Sequence, residues 1–300
     1  MKHTTTSVSS LSLLALATAA TLTSNAFAGA PAKQAAPVDS GALLSGSFLD
    51  KLTGTVDIGY DSAYYFRGLW FSNNNIWEGL TLSLPVNEQL SVSLGAVYTS
   101  STNTKVPGSQ LKYSELDLIA GATYDAGFAK FGLVYTYYNF YDTFSGSYTT
   151  GANAGQTFGS TGGDSTLTTS SDLGFTVSKS LGPVNVNAGY WYDFRINGYY
   201  LESSADCPIE VTSAFSVVPS VSVGYGSDYY SFAANGGAKS GITAVRPALL
   251  FRIKVTKSAT FTPYAAVNLS GATRYDKATG SNAIEGNNDF YFGGKMSVAF

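Results

Sequence analysis

The chain ends on Phe290-Tyr291-Phe292-Gly293-Gly294-Lys295-Met296-Ser297-Val298-Ala299-Phe300, a run in which residue type alternates with a period of two. Apolar or small residues hold the even positions, and polar or small residues hold most of the odd positions. Because successive side chains of a β-strand point to opposite faces, this period predicts a strand with one apolar and one polar face. A half-buried strand of a water-soluble sheet would show the same pattern, so the class of protein depends on the rest of the chain.

The amino terminus has the features of a secretory signal peptide. A short basic start, Met1-Lys2-His3, is followed by an apolar stretch at residues 11–22 and by the small-x-small sequence Ala26-Phe27-Ala28. We therefore predict a signal peptide at 1–28, a flexible periplasmic lead-in rich in Ala, Pro and Ser at 29–51, and one domain at 52–300.

The composition favours a membrane-embedded β-sheet. Charged residues are 12% of the chain, against about 25% in a typical soluble domain. Aromatic residues are 14%, with 21 Tyr, and there are 32 Gly, which suits interfacial anchoring and curved strands. After the signal, no apolar run is long enough for a spanning helix, so strands would have to cross the membrane. The net charge of −3 is too small to indicate nucleic acid as a partner.

Alternating segments continue from Leu52 to the end of the chain. We count about twelve, each of roughly 9–13 residues, the length that a tilted membrane strand needs. The first, at 55–66, places Val56, Ile58 and Tyr60 on one face, and the eighth, around Ile209 and Val211, has the weakest pattern. The pattern predicts an all-β fold, an antiparallel transmembrane β-barrel of about 12 strands.

The predicted connections alternate in length. Short turns are predicted at 86–89, 125–128, 181–183, 215–216 and 256–259. Long polar loops are predicted between them at 69–75, 100–111, 142–168, 196–208, 230–242 and 270–289. An even-stranded barrel with both termini in the periplasm requires this order, with short periplasmic turns and long extracellular loops.

The sequence offers little for catalysis or metal binding. The one His of the chain is His3, inside the signal, which excludes mechanisms that use His as a general base. A single Cys, Cys207, can form neither a Cys metal site nor an intrachain disulfide. Glu115 and Asp117 share one strand face and are expected to tune the interior field. We expect no enzyme activity, no catalytic residue, no cofactor and no metal.

A short motif lies at the outer end of the first strand. Its pattern, Ser-x-Tyr-x-Phe-Arg-Gly, is carried by Ser62, Tyr64, Phe66, Arg67 and Gly68. It resembles the signature of the TorF-like family of outer-membrane porins, and the layout of the chain is similar to that family as far as Phe300. The family tends to continue with a small polar stretch where this chain has Leu69-Trp70-Phe71, so the resemblance implies an outer-membrane channel-like barrel and not a particular ligand.

The resemblance implies a location and a route of assembly. The last strand resembles the closing strand of bacterial outer-membrane barrels, in which a terminal aromatic residue, here Phe300, belongs to the assembly signal. We therefore expect the chain in the outer membrane of a Gram-negative-type bacterium. Its expected partners are outer-membrane lipid and lipopolysaccharide, the barrel assembly machinery, and small hydrophilic solutes.

Directing the apolar faces outward assigns the opposite faces to the interior. A charge that faces lipid near mid-bilayer costs roughly 2–4 kcal/mol, so the strand charges are expected inside. The predicted lumen-lining residues are Asp57, Asp61, Arg67, Glu115, Asp117, Asp193, Arg195, Arg246, Arg252, Lys254 and Lys295.

The predicted strand number leaves two functions open. Eight strands leave an interior filled by side chains and sixteen leave an aqueous channel, so twelve lies between them. We predict a narrow porin-like channel for passive diffusion of small hydrophilic solutes. The alternative is a closed-lumen structural or adhesive barrel that acts through its extracellular loops.

Overall fold

A computed structural model describes most of the predicted barrel. The described residues are 51–105, 112–141, 146–147, 157–158, 169–195, 197–230, 239–270 and 289–300. The predicted signal peptide and all but the last residue of the lead-in lie outside them, as does most of the predicted loop at 142–168. Within the described residues, no helix has the length and apolarity needed to cross a membrane.

Nearly all of the described chain is β-strand. We number the long strands β1 (Thr53–Phe66), β2 (Leu69–Pro85), β3 (Leu90–Lys105), β4 (Lys112–Asp125), β5 (Lys130–Phe140), β6 (Thr169–Leu181), β7 (Val184–Asp193), β8 (Gly198–Asp206), β9 (Phe215–Tyr230), β10 (Lys239–Lys254), β11 (Ala259–Ser270) and β12 (Asp289–Ala299). The short strand Ile209–Thr212 continues β8, and Gly146–Ser147 pairs with Thr157–Phe158 as a separate small ladder.

The sheet closes on itself. Each long strand pairs antiparallel with the next one in the chain, and β1 pairs with β12 from Thr55–Ala299 to Asp61–Gly293. The backbones of Gly54 and Phe300 exchange hydrogen bonds of 2.9 and 3.0 Å, so the last residue extends the closing ladder. The predicted fold, an all-β antiparallel barrel of twelve strands, is confirmed.

The two faces of the sheet differ in polarity. Outward side chains are apolar and exposed, for example Ile58 at 53%, Leu94 at 64% and Leu133 at 53%. Most of the buried side chains are polar or charged, which reverses the usual arrangement of a soluble protein. An apolar exterior around a polar interior is typical of barrels that cross a membrane.

The short turns are confirmed, and two of the predicted long loops are wrong. Turns at 86–89, 126–129, 182–183, 213–214 and 255–258 lie within two residues of their predicted positions, all at one end of the barrel. At the other end, the loop predicted at 69–75 is the first part of β2, preceded by a two-residue turn. Its Asn73-Asn74-Asn75 sequence favours a loop locally, but tertiary contacts hold it in a strand.

The loop predicted at 196–208 is also wrong, because it contains β8. This strand pairs with β7 over its whole length and with β9 from Tyr199–Ser227 to Asp206–Ser220. The segment predicted as the eighth strand, at Ile209 and Val211, is only its short continuation. The outward positions of β8 include Ser203 and Ala205, which weaken the apolar alternation and make the segment resemble a loop.

Among the described residues, the acidic side chain of Glu78 lies on the outward face. Glu78 is exposed and stands opposite Ile58 on β1 and Tyr98 on β3, two residues that also face outward. Replacing Glu78 by Leu should raise the free energy of unfolding from a bilayer by about 1–2 kcal/mol, because acyl chains solvate leucine better than carboxylate. Urea titration in lipid vesicles measures this difference. The control is Glu88→Leu in the exposed 86–89 turn, where no gain is expected, and equal effects of the two variants would contradict the prediction.

Candidate functional site

The end of the β1–β2 hairpin leaves the barrel wall. The ladder between β1 and β12 stops at the Asp61–Gly293 pair, and the ladder between β2 and β3 starts at the Asn75–Ser101 pair. Between these limits, residues 62–74 form two strand arms that pair with each other. This part of the hairpin therefore extends past the last paired residues of the neighbouring wall strands, to which it is joined by hydrogen bonds from the Phe292 N–H to Ser62 and from the Thr102 hydroxyl to the Asn74 carbonyl.

The hairpin reverses at a two-residue turn. Arg67 has a φ of 52° and Gly68 a φ of 89°, and positive φ at both central positions is the signature of a type I′ turn. Glycine accepts this backbone without strain, whereas arginine does so at a cost of about 1 kcal/mol or more. The contacts of the Arg67 side chain must offset that cost.

The turn lies inside the barrel. A Cβ atom placed on Gly68 would be 3.0 Å from the Cβ of Ala244 on β10, although β10 is three strands from β1 around the wall, about 14 Å at normal strand spacing. Successive residues Tyr64 and Tyr65 are each 2% exposed, so both faces of this arm are covered. We call residues 62–74 the inward hairpin.

The guanidinium of Arg67 crosses the interior to the far wall. Its Nη2 atom forms an ion pair of 2.5 Å with Oδ2 of Asp172 on β6, and both side chains are fully buried. The hydroxyl of Tyr138 on β5 donates to the same carboxylate oxygen at 2.8 Å. Three aromatic rings surround the guanidinium carbon, at 4.7 Å for Phe66, 5.1 Å for Tyr200 and 5.5 Å for Trp191. We call Asp172, Tyr138, Phe66, Trp191 and Tyr200 the cation cage.

Glycines in the wall make room for the largest ring of the cage. A Cβ atom on Gly174 of β6 would lie 2.4 Å from the Trp191 indole, and one on Gly189 of β7 would lie 2.1 Å from it. Real side chains do not approach this closely, so the indole can lie against the inner wall only over glycine.

The cation cage is connected to a second buried ion pair. The hydroxyl of Tyr200 donates to Glu202 on β8 at 2.8 Å, and Glu202 also forms an ion pair with Arg246 of β10. The Nε atom of Arg246 donates to Ser222 on β9 at 3.2 Å. Arg67 and Arg246 are therefore linked through Tyr200 and Glu202, and each has its own carboxylate.

Tyrosines anchor the inward hairpin to the other walls. Tyr64 donates to Glu115 on β4 at 3.5 Å, and Tyr65 donates to Asp289 on β12 at 2.5 Å. Tyr113 also donates to Glu115. Together with the Arg67–Asp172 pair, these bonds tie the hairpin to opposite sides of the barrel.

The wall beside β1 carries further buried polar contacts. Tyr264 of β11 donates to Asp61 at 2.5 Å. Nearer the short-turn end, Lys295 of β12 lies 3.7 Å from Asp57, and Ser297 donates to the same carboxylate. No group of three or more His, Cys, Asp or Glu side chains in the described ranges is placed to hold a metal ion.

The charged residues predicted to line the lumen differ in burial. Asp57, Asp61, Arg67, Glu115, Asp117, Asp193, Arg246 and Lys295 are buried. Arg252 is half-buried, whereas Arg195 and Lys254 are exposed. Arg195 lies in the β7–β8 connection, and Lys254 at the end of β10 donates to the backbone of Ser213 at 3.0 Å.

Sequence reasoning missed both carboxylates that pair with the buried arginines. Asp172 could have been found, because it precedes the alternating Leu173, Phe175 and Val177 and so belongs to the inward face by parity. Glu202 lay in a predicted loop, and no local pattern marked it.

The five positions of the sequence motif all belong to the inward hairpin: Ser62, Tyr64, Phe66, Arg67 and Gly68. At the point where β1 parts from β12, the Ser62 hydroxyl accepts the backbone N–H of Phe292 at 2.9 Å. The Phe66 ring packs edge-on against Tyr138 at 5.7 Å. The motif thus supplies the departure point, the anchors and the turn of the hairpin.

Comparison with known proteins identifies the fold and no family. No family model and no curated protein matches the chain. Among solved structures, the translocator domain of the autotransporter NalP from Neisseria meningitidis is similar with a TM-score of 0.50 and 11% identity, over 87% of this chain and 90% of that one. The KdgM porin has a TM-score of 0.44 and 9% identity, and the similarity covers 82% of this chain and 99% of the porin. An outer membrane channel from Pseudomonas putida F1 has a TM-score of 0.44 and 12% identity, and the similarity covers 88% of this chain and 100% of the channel.

The buried Arg67–Asp172 pair should be strongly coupled. Asp172→Asn or Arg67→Met alone should lower the free energy of unfolding by about 3–5 kcal/mol, because each leaves the other charge buried and unpaired. The loss in the double variant should be smaller than the sum of the two single losses, by about 2 kcal/mol or more. Urea titration of the four proteins in lipid vesicles measures the coupling.

The exposed pair of Lys130 and Asp125, 3.4 Å apart, serves as the control for this cycle. Its coupling should be about 0–1 kcal/mol. Equal coupling in the two cycles would contradict the role assigned to the buried pair.

Proposed function

We propose that the chain is an outer-membrane β-barrel and forms a narrow porin-like channel for passive diffusion of small hydrophilic solutes. The observation that carries this proposal is the closed barrel with an apolar exterior and a charged, hydrogen-bonded interior. Polar walls can replace part of the hydration of a passing solute, whereas an apolar filling could not. Contact with lipid and lipopolysaccharide and insertion by the barrel assembly machinery belong to the same proposal.

The described conformation is a closed state of the proposed channel. At the level of the inward hairpin, the interior side chains are nearly inaccessible, with Arg67 at 0%, Tyr291 at 0% and Tyr200 at 2% exposure. The wall ladders on either side of the hairpin end at the Asp61–Gly293 and Asn75–Ser101 pairs, and residues 62–74 form a ladder with each other, so movement of the hairpin would leave those wall ladders intact. Movement of this hairpin is the step that would admit solute.

Family membership and the lack of enzyme activity are also proposals. The motif from Ser62 to Gly68 supports a place in the TorF-like family, because its five residues build one structural feature. The absence of His after His3 supports a non-catalytic role, since hydrolysis that depends on a His general base cannot operate without that residue.

A closed-lumen structural or adhesive barrel is the second candidate. It is favoured by the complete burial of the Arg67–Asp172 pair, which locks the hairpin across the interior. A barrel of this kind would act through its loops and would carry no current.

Ion selectivity separates the two candidates. Replacing Arg246 and Arg252 together by Ala leaves Glu202 without its arginine, so the reversal potential in a salt gradient should move toward cation selectivity. Single-channel recording in planar bilayers measures both conductance and reversal potential. The control is Lys179→Ala, which removes a positive charge from the outward face of β6 and should change neither.

Three outcomes of this recording are informative. A cation-directed shift supports the channel. Conductance with unchanged selectivity would show that these arginines do not line the path. Folded protein that never conducts, in wild type and variant alike, would favour the closed-lumen barrel.

A further inference from the structure

The cation cage has the components of a binding site for an organic cation. Aromatic faces attract a cation electrostatically, and here three rings lie 4.7–5.5 Å from one guanidinium carbon. The buried carboxylate of Asp172 supplies the negative charge, and Tyr138 fixes it through a hydrogen bond of 2.8 Å. The glycines beneath Trp191 show that the wall is shaped around this ring.

Arg67 occupies the cation cage and pairs with one of the two oxygens of Asp172. Arg67 reaches one oxygen of Asp172, Oδ2, which also accepts the Tyr138 hydroxyl. The other oxygen, Oδ1, is buried and has no hydrogen-bond partner among the described residues. A free guanidinium or amidinium could present two parallel N–H groups to both oxygens, the geometry these ions prefer with carboxylates. Arg67 is attached to a turn with positive φ, which limits how its side chain can approach.

We propose that the cation cage is a binding site for small planar organic cations of the guanidinium or amidinium class, and that Arg67 is its tethered occupant. A solute of this class competes with Arg67 for Asp172 and the aromatic rings. Displacement of Arg67 releases the inward hairpin from the β6 side of the barrel. The consequence for conduction rests on the proposed channel function, whereas binding to the cage does not.

A planar cation fits this cage better than an ammonium ion. A guanidinium stacks on aromatic faces and donates in a fork, whereas an ammonium is a compact, strongly hydrated charge. With Arg67 removed, the cage keeps the charge of Asp172, while the neighbouring Glu202 stays neutralised by Arg246. The empty cage would therefore attract a single positive charge.

The test is to empty the cage and refill it. Arg67→Asn removes the guanidinium and creates an Asn-Gly sequence, which is strongly preferred in type I′ turns, so the hairpin keeps its turn. The purified Arg67→Asn barrel should bind methylguanidinium at least tenfold more tightly than wild type, measured by calorimetry at millimolar ligand in detergent. Methylammonium should bind at least tenfold more weakly than methylguanidinium. Equal affinity of wild type and variant, or no binding, would overturn the proposal.

Matched variants assign the binding to the cage. Arg195→Asn removes an exposed arginine of the β7–β8 connection and should leave affinity at the wild-type level. Adding Asp172→Asn to Arg67→Asn should abolish the gained affinity. If Arg67→Asn folds poorly, methylguanidinium during refolding should restore the folded, heat-modifiable form and methylammonium should not. Failure of this rescue in a poorly folding variant would also overturn the proposal.

Conductance measurements then test the binding proposal and the channel proposal separately. The Arg67→Asn barrel should conduct more than wild type, and methylguanidinium should reduce its current. Binding without any current in either protein would retain the cage and reject the channel.

Discussion

A buried guanidinium needs a counter-charge, and the position of the inward hairpin depends on how Arg67 meets that need. Leaving a charge unpaired in a low-dielectric interior costs several kcal/mol, more than the strain of a positive-φ arginine. Asp172 stands on the far side of the barrel from β1, five strands along the wall. The ion pair therefore requires the hairpin to lie across the interior, and the aromatic contacts of Arg67 follow from that position.

The barrel wall makes this arrangement possible, because its backbone ladders close on themselves and its inward side chains bind the hairpin. Closure of β1 against β12 runs from Thr55–Ala299 to Asp61–Gly293 and is extended by the terminal Phe300, so the wall stays closed on the short-turn side of the point where the hairpin leaves the sheet. The outward side chains are mostly apolar, with Glu78 and Lys179 as charged exceptions, and the inward ones carry the buried ion pairs. Backbone hydrogen bonds thus hold the wall of the barrel, and ion pairs and hydrogen bonds between side chains hold its interior.

The sequence predicts the wall well and the interior poorly, for a physical reason. Strand alternation is a local property, so Ile58, Leu94 and Leu133 indicate their outward direction through their near neighbours. The contact between Arg67 and Asp172 joins residues 105 positions apart, and no local period encodes it. Asn73-Asn74-Asn75 has the composition of a loop, and pairing with β1 and β3, with hydrogen bonds from Tyr60 and Thr102 to Asn74, holds it as strand. Glu202 escaped prediction because β8 lacks large outward residues at Ser203 and Ala205.

The position of the β1–β2 turn inside the barrel, against β10, is tested most directly by a disulfide. In a Cys207→Ser background, Gly68→Cys and Ala244→Cys would place two Cβ atoms within reach of a disulfide. A Cβ built on Gly68 lies 3.0 Å from that of Ala244, and a separation by about 1 Å brings the pair to the roughly 3.5–4.5 Å that disulfides need. Mild oxidation of the folded barrel in lipid vesicles should yield the crosslinked form, seen as a change of mobility on non-reducing gels, and each single cysteine variant should show none. Folded double variant that stays reduced under these conditions would contradict the claim, because a turn that projected outward from the wall would keep the two sulfur atoms apart.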